Sequence, residues 1–264
     1  MPFVDAGGFL LHYLLDGDAS RPAVVLSNSL GSDLTMWDAQ MDALLETFRV
    51  LRYDTRGHGM SGLPDKPASL AALGQDLLTL LDALEIERAH ACGVSMGGMT
   101  AMWLGIHAAE RFESLVLSNT AAKIGTAESW NGRIAEVQAN GVASIADAVL
   151  ARWFTSAFQN SASFAHQRAM LLGCSAEGYA RASGAIRDAD LRGEIASIPL
   201  PTLVISGQDD PVTPPSDGHA LQAAIPGSIF RQVPGAHLSN IEYPAEYNAV
   251  LLCFLQESRT IHER

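Results

Sequence analysis

The sequence predicts an α/β protein: an open, mostly parallel, doubly wound sheet with a helical block inserted after its sixth strand. Three observations carry that expectation. Short apolar runs alternate with helical patterns through residues 1–120, as strands joined by helical crossovers do. Residues 121–189 continue the helical pattern with no convincing strand, after which the alternation resumes. Finally, Gly93-Val94-Ser95-Met96-Gly97-Gly98 stands between an apolar run and a buried helical segment; strand, glycine-flanked serine and helix in that order make a nucleophile elbow.

Each element has its own signal. Residues 3–5 and 9–15 flank Gly7-Gly8 and read as a hairpin. After a polar loop, Ala23-Val24-Val25-Leu26-Ser27 is short and continuously apolar until its last residue, the pattern of a strand buried on both faces. A helix is expected over 37–47 and a strand over 49–53, followed by the glycine-dense loop Asp54-Thr55-Arg56-Gly57-His58-Gly59-Met60-Ser61-Gly62. Ser69 caps a helix whose leucines at 70, 73, 77, 80, 81 and 84 keep one apolar face. Ala89-His90-Ala91-Cys92 leads into the elbow, a helix follows over 99–109, and 114–118 is the sixth strand. Helices are then expected over 127–140, 144–154, 163–172 and 177–187. The sheet returns with 202–206, a helix over 216–224, the strand 229–233 and a last helix over 245–256. Residues 1–120 and 190–264 thus form one core domain, and 121–189 a helical cap over the strand ends, where such sheets place their sites.

Composition excludes several function classes. A chain of 264 residues, 48% hydrophobic and 17% charged, can bury a full core. Its net charge of −12, from 17 Lys and Arg against 29 Asp and Glu, argues against nucleic acid. The same charge requires that any anionic substrate be met by a local arginine. With no apolar run of membrane-spanning length and no basic secretory start, a cytoplasmic protein with no membrane partner is expected. Three scattered cysteines, Cys92, Cys174 and Cys253, read as reduced, mostly buried thiols rather than a disulfide frame or a zinc site.

A serine hydroxyl needs a base to take its proton and a third group to orient that base. Of the eight histidines, His12, His90, His107, His166, His219 and His262 stand in elements or in the charged tail and read as structural or solvated. His58 follows a strand in a glycine-rich loop. His237, in Pro234-Gly235-Ala236-His237-Leu238, directly follows the last strand, where the base belongs when the order is serine, acid, histidine. For the acid, Gly207-Gln208-Asp209-Asp210-Pro211 follows the strand 202–206. Both aspartates are candidates.

Over its whole length the chain resembles the α/β-hydrolases, through Gly93-Val94-Ser95-Met96-Gly97-Gly98, Asp54-Thr55-Arg56-Gly57-His58-Gly59, the 207–214 acid loop and Gly235-Ala236-His237. Within that superfamily, Leu26-Ser27-Asn28-Ser29-Leu30-Gly31-Ser32-Asp33, Met36-Trp37 and Ser118-Asn119-Thr120-Ala121-Ala122-Lys123-Ile124-Gly125 are similar to the 3-oxoadipate enol-lactonases of the protocatechuate branch of the β-ketoadipate pathway. The resemblance implies Ser95 as nucleophile and His237 as base, and it selects Asp210, directly before Pro211, over Asp209. It makes His58 structural. Asn28-Ser29 stands where the superfamily usually has His-Gly, a departure shared by the lactonase group. The oxyanion donors it implies are the backbone N–H groups of Met96 and Leu30, with Ser29 as the neighbouring possibility.

The implied reaction is lactone ring opening through an acyl-enzyme, which requires neither metal nor cofactor. The implied substrate carries a carboxylate, so the cap must supply a cation. Trp130 and Arg133 stand one helical turn apart and face the same way, offering an apolar wall and a carboxylate clamp; Arg152-Trp153 is a second pair, and Ser29 a further contact. The alternatives are another serine hydrolase of the same fold (a carboxylesterase, C–C bond hydrolase or perhydrolase) and a non-catalytic ligand-binding protein.

Overall fold

The alternating apolar runs pair edge to edge in the computed structural model, which describes residues 1–262 and the side chains of residues 1–258. The reading of the His262 side chain lies outside the described residues. The strands are β1 Phe3–Asp5, β2 Leu10–Asp16, β3 Ala23–Ser27, β4 Arg49–Tyr53, β5 Ala89–Val94, β6 Phe112–Ser118, β7 Thr202–Gly207 and β8 Ile229–Val233. They form one eight-stranded sheet in the order β1-β2-β4-β3-β5-β6-β7-β8. The pairs β1–β2 and β2–β4 are antiparallel and all others parallel. Strands β3 and β5 are buried at every residue, which is why their sequences carry apolar runs in place of an alternation. The edge strand β8 exposes Arg231 and Gln232.

The helices outside the insertion are α1 Asp38–Leu45, α2 Leu70–Ala83, α3 Met96–His107, α9 Pro215–Ala224, α10 Ser239–Glu242 and α11 Pro244–His262; between β6 and β7 lie α4 Ala127–Asn140, α5 Ala146–Trp153, α6 Ser156–Gln159, α7 Phe164–Leu172 and α8 Ala176–Asp188. As expected, Ser69 caps α2 by accepting from the Ala72 amide. Helix α3 starts at Met96, three residues earlier than its pattern predicts, because close packing overrides the low helix propensity of Gly97-Gly98. The expected helix over 37–47 splits into a 3-10 turn, Leu34–Trp37, and α1. The 3-10 turn is capped by Asp33, whose carboxylate accepts from the Thr35 amide.

Three of the histidines set aside above have these local partners. His12 Nδ1 lies 2.7 Å from Asp54, His90 Nδ1 2.8 Å from the Ser114 hydroxyl, and the His219 ring 4.0 Å from that of Phe230. Cys92 and Cys174 are buried and Cys253 is exposed; burial pushes the first two thiols up to about 12.

Register then places the site. Pairing Ser27 with Gly93, Val94 with Ser118, Ser118 with Ile205, and Gly207 with Val233 brings five strand ends to one edge. The loops that begin at Asn28, Ser95, Asn119, Gln208 and Pro234 therefore open on one edge of the sheet. The two connections of the helical insertion are fastened together: the Leu191 amide donates to Ala122 O at 2.9 Å, and Lys123 Nζ donates to the carbonyls of Arg187 and Ala189 at 2.8 and 2.9 Å.

Candidate active site

Ser95 follows β5 directly, with φ 57° and ψ −114°, a left-handed conformation for a residue that carries a side chain. Such a conformation costs about 1–3 kcal/mol and persists only where the surroundings fix it. Here the Ser95 amide donates to Ser118 O at 2.9 Å, and Thr120 Oγ1 donates to Ser95 O at 2.7 Å. The flanking glycines are dictated by close approach: a Cβ on Gly93 would stand 2.1 Å from Gly97 O, and one on Gly97 2.0 Å from Ser27 O. Gly93→Ala is expected to cost about 3 kcal/mol and to lower the melting temperature by about 6–12 °C. Thermal unfolding checks this; an unchanged melting temperature would mean that the turn has room to spare.

The two candidate acids part at once. Asp209 is exposed, whereas Asp210 is buried and its Oδ2 lies 2.8 Å from His237 Nδ1. The Asp210 carboxylate also accepts from Asn119 Nδ2 at 2.9 Å, Thr213 Oγ1 at 2.8 Å, and the amides of Val212 and Thr213 at 2.8 and 3.1 Å. Burial alone would raise this carboxyl, but the charge and hydrogen bond of His237, with the bonds from Asn119 and Val212, outweigh it and hold the pKa below the usual value. An ionised carboxylate only accepts, so Nδ1 of His237 carries the proton and Nε2 keeps a free lone pair for a base's work.

A carboxyl whose pKa is lower folded than unfolded adds stability above its unfolded value, and this stability is lost as pH falls through the folded one. Urea unfolding is therefore expected to show wild type losing more stability than Asp210→Asn between pH 7 and the acid side of the ordinary carboxylate range. Parallel losses would contradict this assignment of charge.

Ser95 and His237 line one cavity together with Ser29, Leu30, Ile124, Trp130, Arg133, Val149, Arg152, Trp153, Tyr179, Ile186 and Val212. The Met96 amide is the first of α3, whose leading N–H groups have no intrahelical acceptor and favour negative charge. Ser29 and Leu30 line the same cavity, and the Ser29 amide points to Met36 Sδ at 3.4 Å. The loop is held by Asn28, which accepts from Trp37 Nε1 at 2.9 Å and donates to Tyr53 O at 2.8 Å. His58 is elsewhere: its Nδ1 lies 3.2 Å from Arg56 O, and burial lowers its pKa.

The insertion brings its cations to the same cavity. The Arg133 guanidinium sits 4.7 Å over the Trp130 ring, and Trp130 Nε1 donates to Ile124 O at 2.7 Å. Arg152 has its pKa lowered by burial and then by the charge of Arg133. Among the described residues neither arginine pairs with a carboxylate, and no acidic side chain lines the cavity. Two arginines with no carboxylate partner fit an anionic ligand. Among the described residues, no group of three or more His, Cys, Asp or Glu is arranged to hold a metal ion.

Sequence reading missed Asn119 and Tyr179. Asn119 follows β6 directly, a strand-end position that could have marked it. Tyr179 and Ile186 stand seven apart on α8, one face of a helix that turns toward the cavity.

A family model for the alpha/beta hydrolase fold matches residues 22–244. The 3-oxoadipate enol-lactonase 1 of Acinetobacter baylyi is 44% identical to this chain over 251 residues, 94% of each chain. Its 3-oxoadipate enol-lactonase 2 is 42% identical over 240 residues, 90% of each. The crystal structure of the enol-lactonase from Burkholderia xenovorans LB400 superposes with a TM-score of 0.95 at 43% identity, covering 97% of this chain and 100% of that one.

Proposed function

Because the chain belongs to the alpha/beta hydrolase fold family, we propose that it is a serine hydrolase that opens the ring of 3-oxoadipate enol-lactone to 3-oxoadipate, a step of protocatechuate catabolism. The observation that carries this reading is the pair of uncompensated arginines, Arg133 and Arg152, in the acid-free cavity that Ser95 also lines. In a chain of net charge −12, such a pocket selects for a small substrate bearing a carboxylate. Relatives of matching length that bear the enol-lactonase name support the same choice.

In this reading His237 Nε2 takes the Ser95 proton and Ser95 Oγ attacks the lactone carbonyl. The oxyanion forms between the amides of Met96 and Leu30, donors worth about 3 kcal/mol each. The ring C–O bond breaks, the leaving enol oxygen takes the proton from His237, and the enol ketonises. His237 then draws a proton from water, which attacks the acyl ester; the acyl C–O bond to Ser95 breaks, and Ser95 Oγ takes the proton back from His237. Asp210 holds the imidazole in the tautomer this needs. Residues 121–189 act as a cap over a core of 1–120 and 190–264, with Trp130, Trp153 and Ser29 walling the substrate and Arg133 clamping its carboxylate. The setting is cytoplasmic.

Arg133→Ala is expected to lower kcat/KM for the lactone about ten- to a hundred-fold, the worth of one charge-assisted contact. Arg133→Lys should recover part of that, since a point charge replaces a planar fork. Neither variant should change hydrolysis of p-nitrophenyl acetate, which has no carboxylate. Equal losses on both substrates would assign Arg133 to supporting the cap and move the clamp to Arg152.

A further inference from the structure

Asn119 stands immediately after β6, fully buried, at φ 45°. Its backbone amide donates to Ile205 O of β7 at 2.8 Å, so the residue is fixed against the neighbouring strand. Nδ2 donates to Asp210 Oδ2 at 2.9 Å and reaches Ala236 O at 3.3 Å. Oδ1 accepts from the hydroxyls of Ser118 at 3.1 Å and Ser239 at 2.9 Å. This orientation of the amide is the one that gives every donor an acceptor. One side chain thus ties the end of β6 to the acid loop, at the oxygen that faces His237, and to both sides of the base loop, before and after His237. Gly207 on β7 faces both the base loop and Asn119: a Cβ there would stand 2.3 Å from Ala236 O and 2.9 Å from Asn119 Nδ2.

We propose that Asn119 is a positioning residue for hydrolysis, holding Asp210 and the His237 loop in mutual register and drawing charge off the carboxylate oxygen that His237 meets. The inference rests on the reading of Ser95, His237 and Asp210 as the reacting set. Its electronic part has a definite sign. A hydrogen bond donated to Oδ2 shares the negative charge that would otherwise stabilise protonated His237. Removing the donor therefore makes His237 more basic. The other charged groups near the pair, Asp217 on α9, Glu242 on α10, whose Oε2 accepts from the Ala236 amide at 3.1 Å, and Arg133 and Arg152 across the cavity, stay in place when Asn119 is changed.

Two variants test it. Asn119→Gly removes the amide while suiting the left-handed backbone, which glycine adopts freely. Asn119→Asp keeps the shape and sets an acceptor where the donor was. Both are expected to lower kcat about 10- to 100-fold with KM within about two-fold of wild type, to shift the acid limb of the kcat/KM profile upward, and to slow fluorophosphonate labelling of Ser95 by a similar factor. Wild-type kcat in either variant would overturn the proposal. So would a fall in kcat with the acid limb unmoved, which describes a structural residue, or a rise in KM alone, which describes a pocket residue. Labelling separates this inference from the reading beneath it: an unsubstituted protein that does not label at Ser95 removes the triad, whereas normal labelling that Asn119→Gly leaves unchanged removes Asn119 alone.

Discussion

Ser95→Ala is expected to lower kcat for the lactone by about 10⁴- to 10⁶-fold while leaving the melting temperature close to that of wild type. The magnitude follows from removing the atom to which the acyl group is transferred; binding and oxyanion donation then give only residual catalysis over water. His237→Ala should be about as damaging, and combining the two should add little, because nucleophile and base act as one unit. The fold has no stake in the hydroxyl: the bonds that fix Ser95 run through its amide and carbonyl, to Ser118 and Thr120. Near-normal turnover in Ser95→Ala, measured beside its circular dichroism and melting curve, would end the acyl-enzyme account.

The second large effect separates neighbours in sequence. Asp210→Asn is expected to cost about 10⁴-fold in kcat, because an amide facing Nδ1 no longer enforces the tautomer that leaves Nε2 as base. Asp209→Asn should stay within about two-fold, since that side chain is exposed and only its amide is bonded, to Gly235 O at 2.9 Å. Steady-state kinetics on the two variants checks this, and a larger loss at Asp209 would reverse the assignment of the acid.

Those two aspartates also mark where sequence reasoning stops. The elbow was legible because Gly93 and Gly97 are dictated by backbone contacts within a short stretch, and the alternation of β3 to β6 because buried parallel strands carry continuous apolar runs. The choice between Asp209 and Asp210 has no such local signature: adjacent acids in one polar loop differ only in which way the turn directs them, and resemblance alone separated them beforehand. The strand-end position of Asn119 was legible, but its partners were not, since its bonds run to Asp210, Ala236 and Ser239, residues brought near it by sheet register. Helix α10 is four residues long, too short for a periodic pattern, yet it directly follows His237 and Leu238. Trp130 and Arg133 could be paired from helical spacing, but that Arg133 and Arg152 share an acid-free cavity with Ser95 depends on tertiary packing.

Ser95 sits in a cavity charged for a carboxylate, and the proposed reaction there is the opening of an enol-lactone ring. Hydrolysis of 3-oxoadipate enol-lactone by the purified protein, followed by loss of the lactone's ultraviolet absorbance, tests it most directly, with p-nitrophenyl acetate and Ser95→Ala in parallel. A kcat/KM of at least about 10⁴ M⁻¹ s⁻¹ is expected for the lactone, well above that for the uncharged ester and lost in Ser95→Ala. Lactone turnover no faster than the spontaneous rate, or an uncharged ester preferred over it, would contradict the account.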